Sequence, residues 1–163
     1  MIRLLYTVCM NSILHDLSIT PVKLQNSPKW VMLIHGLVQA GFPSAAEDTC
    51  AKRIDLNAVL ISHPTATYLL RARGFSMVEA GIFDGDILVI DRAIRPKHGH
   101  IVVAEVDGEF TVKTLFSRNG CIKLQAANPT FPDILFKDGQ ELKVWGVVIH
   151  TIRSFKGQSW SRA

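Results

Sequence analysis

Two residues, Ser76 and Lys113, have side chains that could act together in covalent catalysis. Ser76 lies in the sequence GFSM, and Lys113 lies in the alternating sequence EFTVKTL. A serine hydroxyl becomes a nucleophile when a base within hydrogen-bond reach takes its proton, and a neutral lysine can be that base. A Ser-His-Asp triad has no sequence pattern here, because residue 78 is Val where G-x-S-x-G needs Gly. S-x-x-K is missing too, since residue 79 is Glu.

Ser76 also has a purely structural interpretation. A serine that follows Gly74 and precedes a short helix is a good N-cap, because its side-chain oxygen can accept from the first backbone N–H groups. The same position would place a hydroxyl beside backbone N–H groups that lack partners, and such groups can stabilise an oxyanion. The cap and the nucleophile are both compatible with the local sequence.

The surroundings of Lys113 follow from a predicted β-hairpin. Asp107-Gly108 between two alternating stretches is a strong signal for a two-residue turn, and this turn places Lys113 opposite Val102. Burial among apolar neighbours would lower the pKa of the amine and favour its neutral form. Alternatively, the stem lies on the sheet and the amine reaches water. The other side chains expected on this face are Ala104, Val106, Thr111 and Leu115.

The stretch HGLVQAGFPS, residues 35–44, raises the possibility of proteolysis. Ala40 and Gly41 are small enough to enter a tight cleft, and Pro43 keeps the segment before it extended. The Ala40–Gly41 bond is therefore a candidate cleavage site.

The apolar sequence WVMLIHGLVQA superficially resembles a signal peptide. His35 and Gly36 interrupt it, some thirty residues precede it, and no stretch of the chain approaches the roughly 18 apolar residues of a membrane span. We therefore predict a soluble, cytoplasmic protein without a membrane anchor.

Composition narrows the remaining classes of function. The 163 residues are 48% hydrophobic, which suits one globular domain, and the net charge of +4 is spread without a run of five like charges. This distribution predicts no strong direct binding of nucleic acid. The three cysteines, Cys9, Cys50 and Cys121, are odd in number and far apart in the sequence, which predicts free thiols rather than disulfides. His98 and His100 lack further metal ligands nearby, so we expect no metal and no cofactor.

The elements that would hold these residues are predicted to be mostly β-strands. From about Leu56 the sequence becomes β-like, and only SMVEAG, residues 76–81, has room for a short helix of one or two turns. The predicted fold is mainly β, a curved sheet or partial barrel with one short helix. Strands are expected at residues 65–73, 86–91, 101–106, 109–115, 121–124 and 142–150.

The two ends of the chain are expected to differ from this β domain. Residues 1–40 show neither a helical period nor regular alternation, so we predict an extended N-terminal arm rather than a DNA-binding helix-turn-helix domain. The β domain then covers residues 41–153. The tail, from Arg153 and through residues 154–163, is predicted to fray.

Taken together, these stretches resemble the UmuD-like proteins of the LexA and signal peptidase superfamily of Ser-Lys peptidases. The resemblance covers residues 41–152, more than two thirds of the chain. The sequences that carry it, in this order and spacing, are GFPS, RIDLN, HPTATY, GFSM, DGDILVID, HGHIVVAEVDGEFTVK and GVVIH.

The resemblance implies a role for each candidate residue. Ser76 would be the nucleophile, Lys113 the general base, and Ala40–Gly41 the bond that the protein cuts in itself. It further implies a homodimer in the SOS response, stimulated by a RecA filament on single-stranded DNA. The shortened product would be an accessory subunit of a Y-family, UmuC-like translesion polymerase.

Two departures from the family pattern keep other classes open. Many relatives have an acidic residue in place of Phe75 and an aspartate in place of His100. A non-cleaving dimeric interaction module of the same fold is therefore an alternative. A LexA-like repressor fragment would need a DNA-binding domain before the cut, and a signal peptidase would need an anchor.

Overall fold

The computed structural model describes residues 4–5, 27–35, 50–136 and 142–155. Ala40 and Gly41 lie outside these residues, as do most of the predicted arm and residues 156–163 of the predicted tail. The chain divides into a smaller unit, residues 19–62, and a larger unit, residues 1–18 together with 63–163.

Strands dominate the described residues, as predicted. In the larger unit they are β1 (Leu4–Leu5), β4 (Thr67–Arg71), β5 (Ile87–Asp91), β6 (Ile101–Val106), β7 (Glu109–Arg118), β8 (Cys121–Gln125), β9 (Ile134–Leu135) and β10 (Leu142–Ile152). In the smaller unit they are β2 (Trp30–His35) and β3 (Cys50–Asp55). The helical elements are α1 (Leu56–Leu60) and a single 3₁₀ turn (Val78–Ala80).

The described residues of the smaller unit form a two-stranded antiparallel ribbon followed by α1. Trp30 pairs with Asp55 and His35 pairs with Cys50 at the two ends of the ribbon. Asp55 begins α1 as its N-cap, because its carboxylate accepts from the backbone N–H of Asn57 at 3.1 Å. The β-like interpretation from Leu56 is therefore wrong for α1, since this cap starts a helix there.

The larger unit contains one curved sheet with the strand order β4-β5-β10-β6-β7-β8-β9, and β1 pairs with β10. All pairs are antiparallel except β1 with β10. The last of the described strands, β10, thus lies in the middle of the sheet, between β5 and β6. The prediction of a mainly β fold with a curved sheet is confirmed.

Strand β10 can lie there because Gly146 has no side chain. A Cβ atom at Gly146 would lie 2.6 Å from Ile90 Cγ2 and 3.3 Å from the carbonyl oxygen of Asp91. The pairing of β10 with β6 shifts register at the same place, between Val144 and Gly146. A glycine therefore permits close approach at a bulge in the central strand.

Apolar side chains are buried in two clusters of the larger unit. The first contains Val102, Ala104, Leu115, Leu124, Leu142, Val144 and Val147. The second contains Ala72, Met77, Ile82, Leu88, Ile90 and Val103. Met77 is 3% exposed and directly follows Ser76, so the second cluster anchors the segment that carries the candidate nucleophile.

Arg153, near the end of the described residues, is held in place where fraying was predicted. Arg153 Nε donates to Asp86 Oδ1 at 2.7 Å, and the same guanidinium donates to the Gly81 carbonyl at 2.8 Å. Asp86 is 2% exposed, and its hydrogen bonds from Arg153 hold the pKa of this carboxyl below its usual range. The prediction is wrong for Arg153, because a buried carboxylate requires a partner and this arginine supplies it.

Candidate active site

The β6–β7 hairpin positions Lys113 as the sequence predicts. Asp107 and Gly108 both have positive φ, +51° and +85°, as a tight two-residue turn requires. Val106 pairs with Glu109, and Lys113 pairs with Val102. Lys113 is only 7% exposed, so the alternative in which its amine reaches water is wrong.

A glycine and a buried methionine hold Ser76 between them. Gly74 has φ +91°, and its N–H donates to Asp84 Oδ1 at 2.7 Å. The 3₁₀ turn that follows begins after Met77, which makes no side-chain capping bond. The structural interpretation of Ser76 as a helix cap is therefore wrong. Its half-buried hydroxyl instead contacts Lys113.

Ser76 and Lys113, 37 positions apart in the sequence, are in hydrogen-bond contact. Lys113 Nζ lies 2.7 Å from Ser76 Oγ. It also lies 3.1 Å from Thr111 Oγ1 and 3.0 Å from the carbonyl oxygen of Val112. An ammonium could donate to all three oxygens. A neutral amine has two N–H donors and one lone pair, so it can donate to Thr111 and Val112 and accept from the Ser76 hydroxyl.

The electrostatic surroundings favour the neutral amine. Burial lowers the pKa of Lys113 below its ordinary value. In the described part of the chain, no carboxylate forms an ion pair with Lys113 to oppose this effect. The arrangement can therefore accept the proton of the Ser76 hydroxyl at a lower pH than an exposed lysine could.

A segment beyond β8, residues 127–128, holds the chain on both sides of Ser76. The N–H of Ala127 donates to the Ser76 carbonyl at 2.9 Å, and the Ala127 carbonyl accepts from the N–H of Glu79 at 2.9 Å. Asn128 Nδ2 donates to the Phe75 carbonyl at 2.8 Å. Sequence reasoning missed Asn128, because it lies 53 positions from Phe75 and no local pattern marks it.

Among the described residues, neither position that departs from the family pattern forms a hydrogen bond with the side chain of Ser76 or Lys113. Phe75 is 58% exposed beside the nucleophile. His100 lies in a turn, where its Nδ1 accepts from the N–H of Lys97 at 3.3 Å. His98 Nδ1 similarly accepts from the N–H of Ser117 at 3.3 Å. Both imidazoles therefore have local structural partners.

The described residues hold neither a metal-binding cluster nor a membrane-spanning helix. No cluster of three or more His, Cys, Asp or Glu side chains in these ranges could hold a metal ion. Within the same ranges, no helix is long and apolar enough to cross a membrane.

Comparison with known proteins gives one family and several close relatives. Residues 32–149 match the family described as peptidase S24-like. The protein ImpA of Salmonella typhimurium is 47% identical over 115 residues, which are 70% of this chain and 77% of that protein. The protein MucA of Escherichia coli is 42% identical over 117 residues, 71% of this chain and 79% of that protein. The LexA repressor of Cupriavidus taiwanensis is 40% identical over 119 residues, 73% of this chain but 54% of the repressor.

Proposed function

Because the chain belongs to the peptidase S24-like family, as a UmuD-like relative of the LexA repressors, we propose that it is a self-cleaving serine peptidase of the SOS response. The observation that carries this proposal is the 2.7 Å contact between Ser76 Oγ and the buried amine of Lys113. The proposed cut lies between Ala40 and Gly41.

In the first step, neutral Lys113 takes the proton of Ser76 Oγ while this oxygen attacks the carbonyl carbon of Ala40. Thr111 and the Val112 carbonyl are placed to accept hydrogen bonds from the ammonium that forms. Backbone N–H groups of the Ser76 segment stabilise the oxyanion of the tetrahedral intermediate. The ammonium then returns the proton to the nitrogen of Gly41, the peptide bond breaks, and Ala40 becomes an ester on Ser76.

In the second step, Lys113 takes a proton from a water molecule, and the resulting hydroxide attacks the ester carbonyl. The tetrahedral intermediate collapses, Ser76 regains its proton, and residues 1–40 leave with a free carboxylate. The product begins at Gly41 and contains 123 residues.

The proposed setting is the cytoplasm of a cell with damaged DNA. A RecA filament on single-stranded DNA would stimulate a homodimer of this chain by binding its cleavable arrangement better than other arrangements. A ligand that binds two arrangements equally shifts neither. The shortened protein would then serve as accessory subunit of a Y-family, UmuC-like polymerase in translesion synthesis.

The test is the intact mass of the purified chain after incubation with RecA, ATP and single-stranded DNA. We expect conversion to the 123-residue product that begins at Gly41. Omitting the DNA is the matched control and should leave most of the chain uncut over the same time. Conversion at the same rate without RecA would contradict the regulatory part of the proposal, and a dominant new terminus elsewhere would contradict the cleavage site.

A second candidate is the non-cleaving interaction module of the same fold. The exposed ring of Phe75 beside the nucleophile favours it, because a bulky residue there could hinder entry of a peptide. A chain that stays intact with RecA and also at alkaline pH would support this module and refute the peptidase.

A further inference from the structure

Asn128 makes three hydrogen bonds whose directions fix its amide. Its Oδ1 accepts from the N–H of Thr130 at 3.0 Å and from Thr130 Oγ1 at 2.8 Å. A backbone N–H can only donate, so the oxygen of the amide must face Thr130. The Nδ2 end is therefore the end that faces the Phe75 carbonyl, to which it donates at 2.8 Å.

The carbonyls on both sides of Ser76 point toward the segment 127–128. The Phe75 carbonyl accepts from Asn128, and the Ser76 carbonyl accepts from the N–H of Ala127. The C=O and N–H of a planar trans peptide point in opposite directions, and no cis peptide occurs among the described residues. The N–H of Ser76 and that of Met77 consequently point away from this segment.

Neither of these N–H groups donates to another group in the described part of the chain. Two donors that adjoin the nucleophile, share a direction and lack an acceptor form a suitable site for a developing negative charge. Since the Ser76 N–H and the Phe75 carbonyl belong to one peptide plane, the bond from Asn128 determines where this N–H points.

We propose that Asn128 is a positioning residue, which orients the N–H of Ser76 toward the oxyanion of the tetrahedral intermediate. The inference rests on the proposed function. The hydrogen bonds of the Asn128 amide go to Phe75 and Thr130 and not to Lys113, so it acts through the Phe75–Ser76 peptide. Thr130 holds the Asn128 amide in this orientation through its two hydrogen bonds to Oδ1.

The test compares the wild-type chain with Asn128→Ala in the pH dependence of self-cleavage. We expect the plateau rate to fall roughly 10- to 100-fold, because a misplaced donor loses much of its stabilisation of the oxyanion. The pH midpoint should not move, because it reports the burial of Lys113. If Asn128 merely held the structure together, its substitution would instead open the site and let water reach Lys113. The pH midpoint of cleavage would then move toward the pKa of an exposed lysine.

Gln125→Ala is the matched control. It also removes a side-chain amide near the end of β8, but the Gln125 amide contacts Asp133 at 3.4 Å and not the Ser76 segment. Its plateau should stay within roughly twofold of wild type. Thr130→Val removes only the hydroxyl that helps to orient Asn128, so it should lower the plateau rate less than Asn128→Ala does. It replaces Asn128→Ala in the test if that variant does not fold.

A second readout separates failure of this inference from failure of the proposed function. A small fluorophosphonate reacts directly with Ser76: the Oγ bonds to phosphorus, its proton passes to Lys113, and fluoride leaves. This reaction does not need the cleavage segment. Slower labelling of Asn128→Ala at an unchanged midpoint supports the inference even if the wild type never cuts itself. Equal plateaus for Asn128→Ala and wild type, or a shifted midpoint, would overturn it. A wild-type chain that neither cleaves nor labels would overturn both proposals.

Discussion

Raising the pH from 7 to 10 should accelerate cleavage of the Ala40–Gly41 bond in the isolated chain, without RecA. The reason is that Lys113 can accept the proton of Ser76 only in its neutral form. The rate should therefore follow the neutral fraction of Lys113 and level off above its pKa.

The expected size of the effect follows from the burial of Lys113. An exposed lysine with a pKa near 10.4 is neutral in roughly 0.04% of molecules at pH 7 and in roughly 30% at pH 10. Below the pKa of Lys113, the cleavage rate should rise about tenfold per pH unit. Because burial lowers this pKa, the rate should level off at a lower pH than it would with an exposed lysine. Each unit by which the pKa falls raises the neutral fraction at pH 7 about tenfold.

The assay is the first-order rate of appearance of the Gly41 terminus from pH 6 to 11, with circular dichroism to verify the fold at each pH. Fluorophosphonate labelling of Ser76 should give the same midpoint. A rate that is flat or falls with pH would remove Lys113 as the base. A midpoint at the value of an exposed lysine would keep the base but refute the effect of burial.

The same pKa shift must be visible in the free energy of unfolding. Because the folded pKa of Lys113 is below its unfolded value, protonation costs the folded state stability. As the pH falls, this cost begins near the unfolded pKa of about 10.4 and is complete below the folded pKa, at about 1.4 kcal/mol per unit of difference. Lys113→Met lacks this dependence, and urea unfolding between pH 7 and 11 measures the difference.

Three further substitutions test other parts of the structure. Gly146→Ala should destabilise the chain by about 1–3 kcal/mol, because the new Cβ would lie 2.6 Å from Ile90 Cγ2; an unchanged urea midpoint would contradict this. Arg153→Met should destabilise it at pH 7, because Asp86 loses the partner that lowers its pKa. Urea unfolding should show this loss shrinking as the pH falls and Asp86 becomes protonated in both chains. Gly41→Glu should block the cut by size and charge while circular dichroism stays unchanged; a normal product would move the cleavage site elsewhere.

Local sequence determined the part of the site that depends on a short turn. Asp107-Gly108 permits positive φ at both positions, and a two-residue loop leaves one register for the strands that flank it. The pairing of Lys113 with Val102 could therefore be predicted. The burial of this lysine could not, because its long stem equally allowed the amine to reach water. Ser76 could be singled out as well, but the local sequence equally allowed a helix cap that the structure does not form.

The remaining contacts depend on residues far apart in the chain. Nothing near Asn128 indicates that it bonds to Phe75, because the contact exists only once β8 has joined the sheet. In the sequence alone, Arg153 likewise resembles the start of a polar tail. Its bond to Asp86, 67 positions earlier, is visible only in the folded structure. Such contacts follow from the strand order of the sheet, and periodicity within single strands does not specify that order.

The central claim, that Ser76 and Lys113 together cut the chain at Ala40–Gly41, is tested most directly by intact mass spectrometry at alkaline pH. Wild type, Ser76→Ala and Lys113→Ala are incubated side by side at pH 10, after circular dichroism has shown that each is folded. We predict that wild type converts to the 123-residue product beginning at Gly41 and that both variants stay intact. The same product from either variant at a rate near that of wild type would contradict the account.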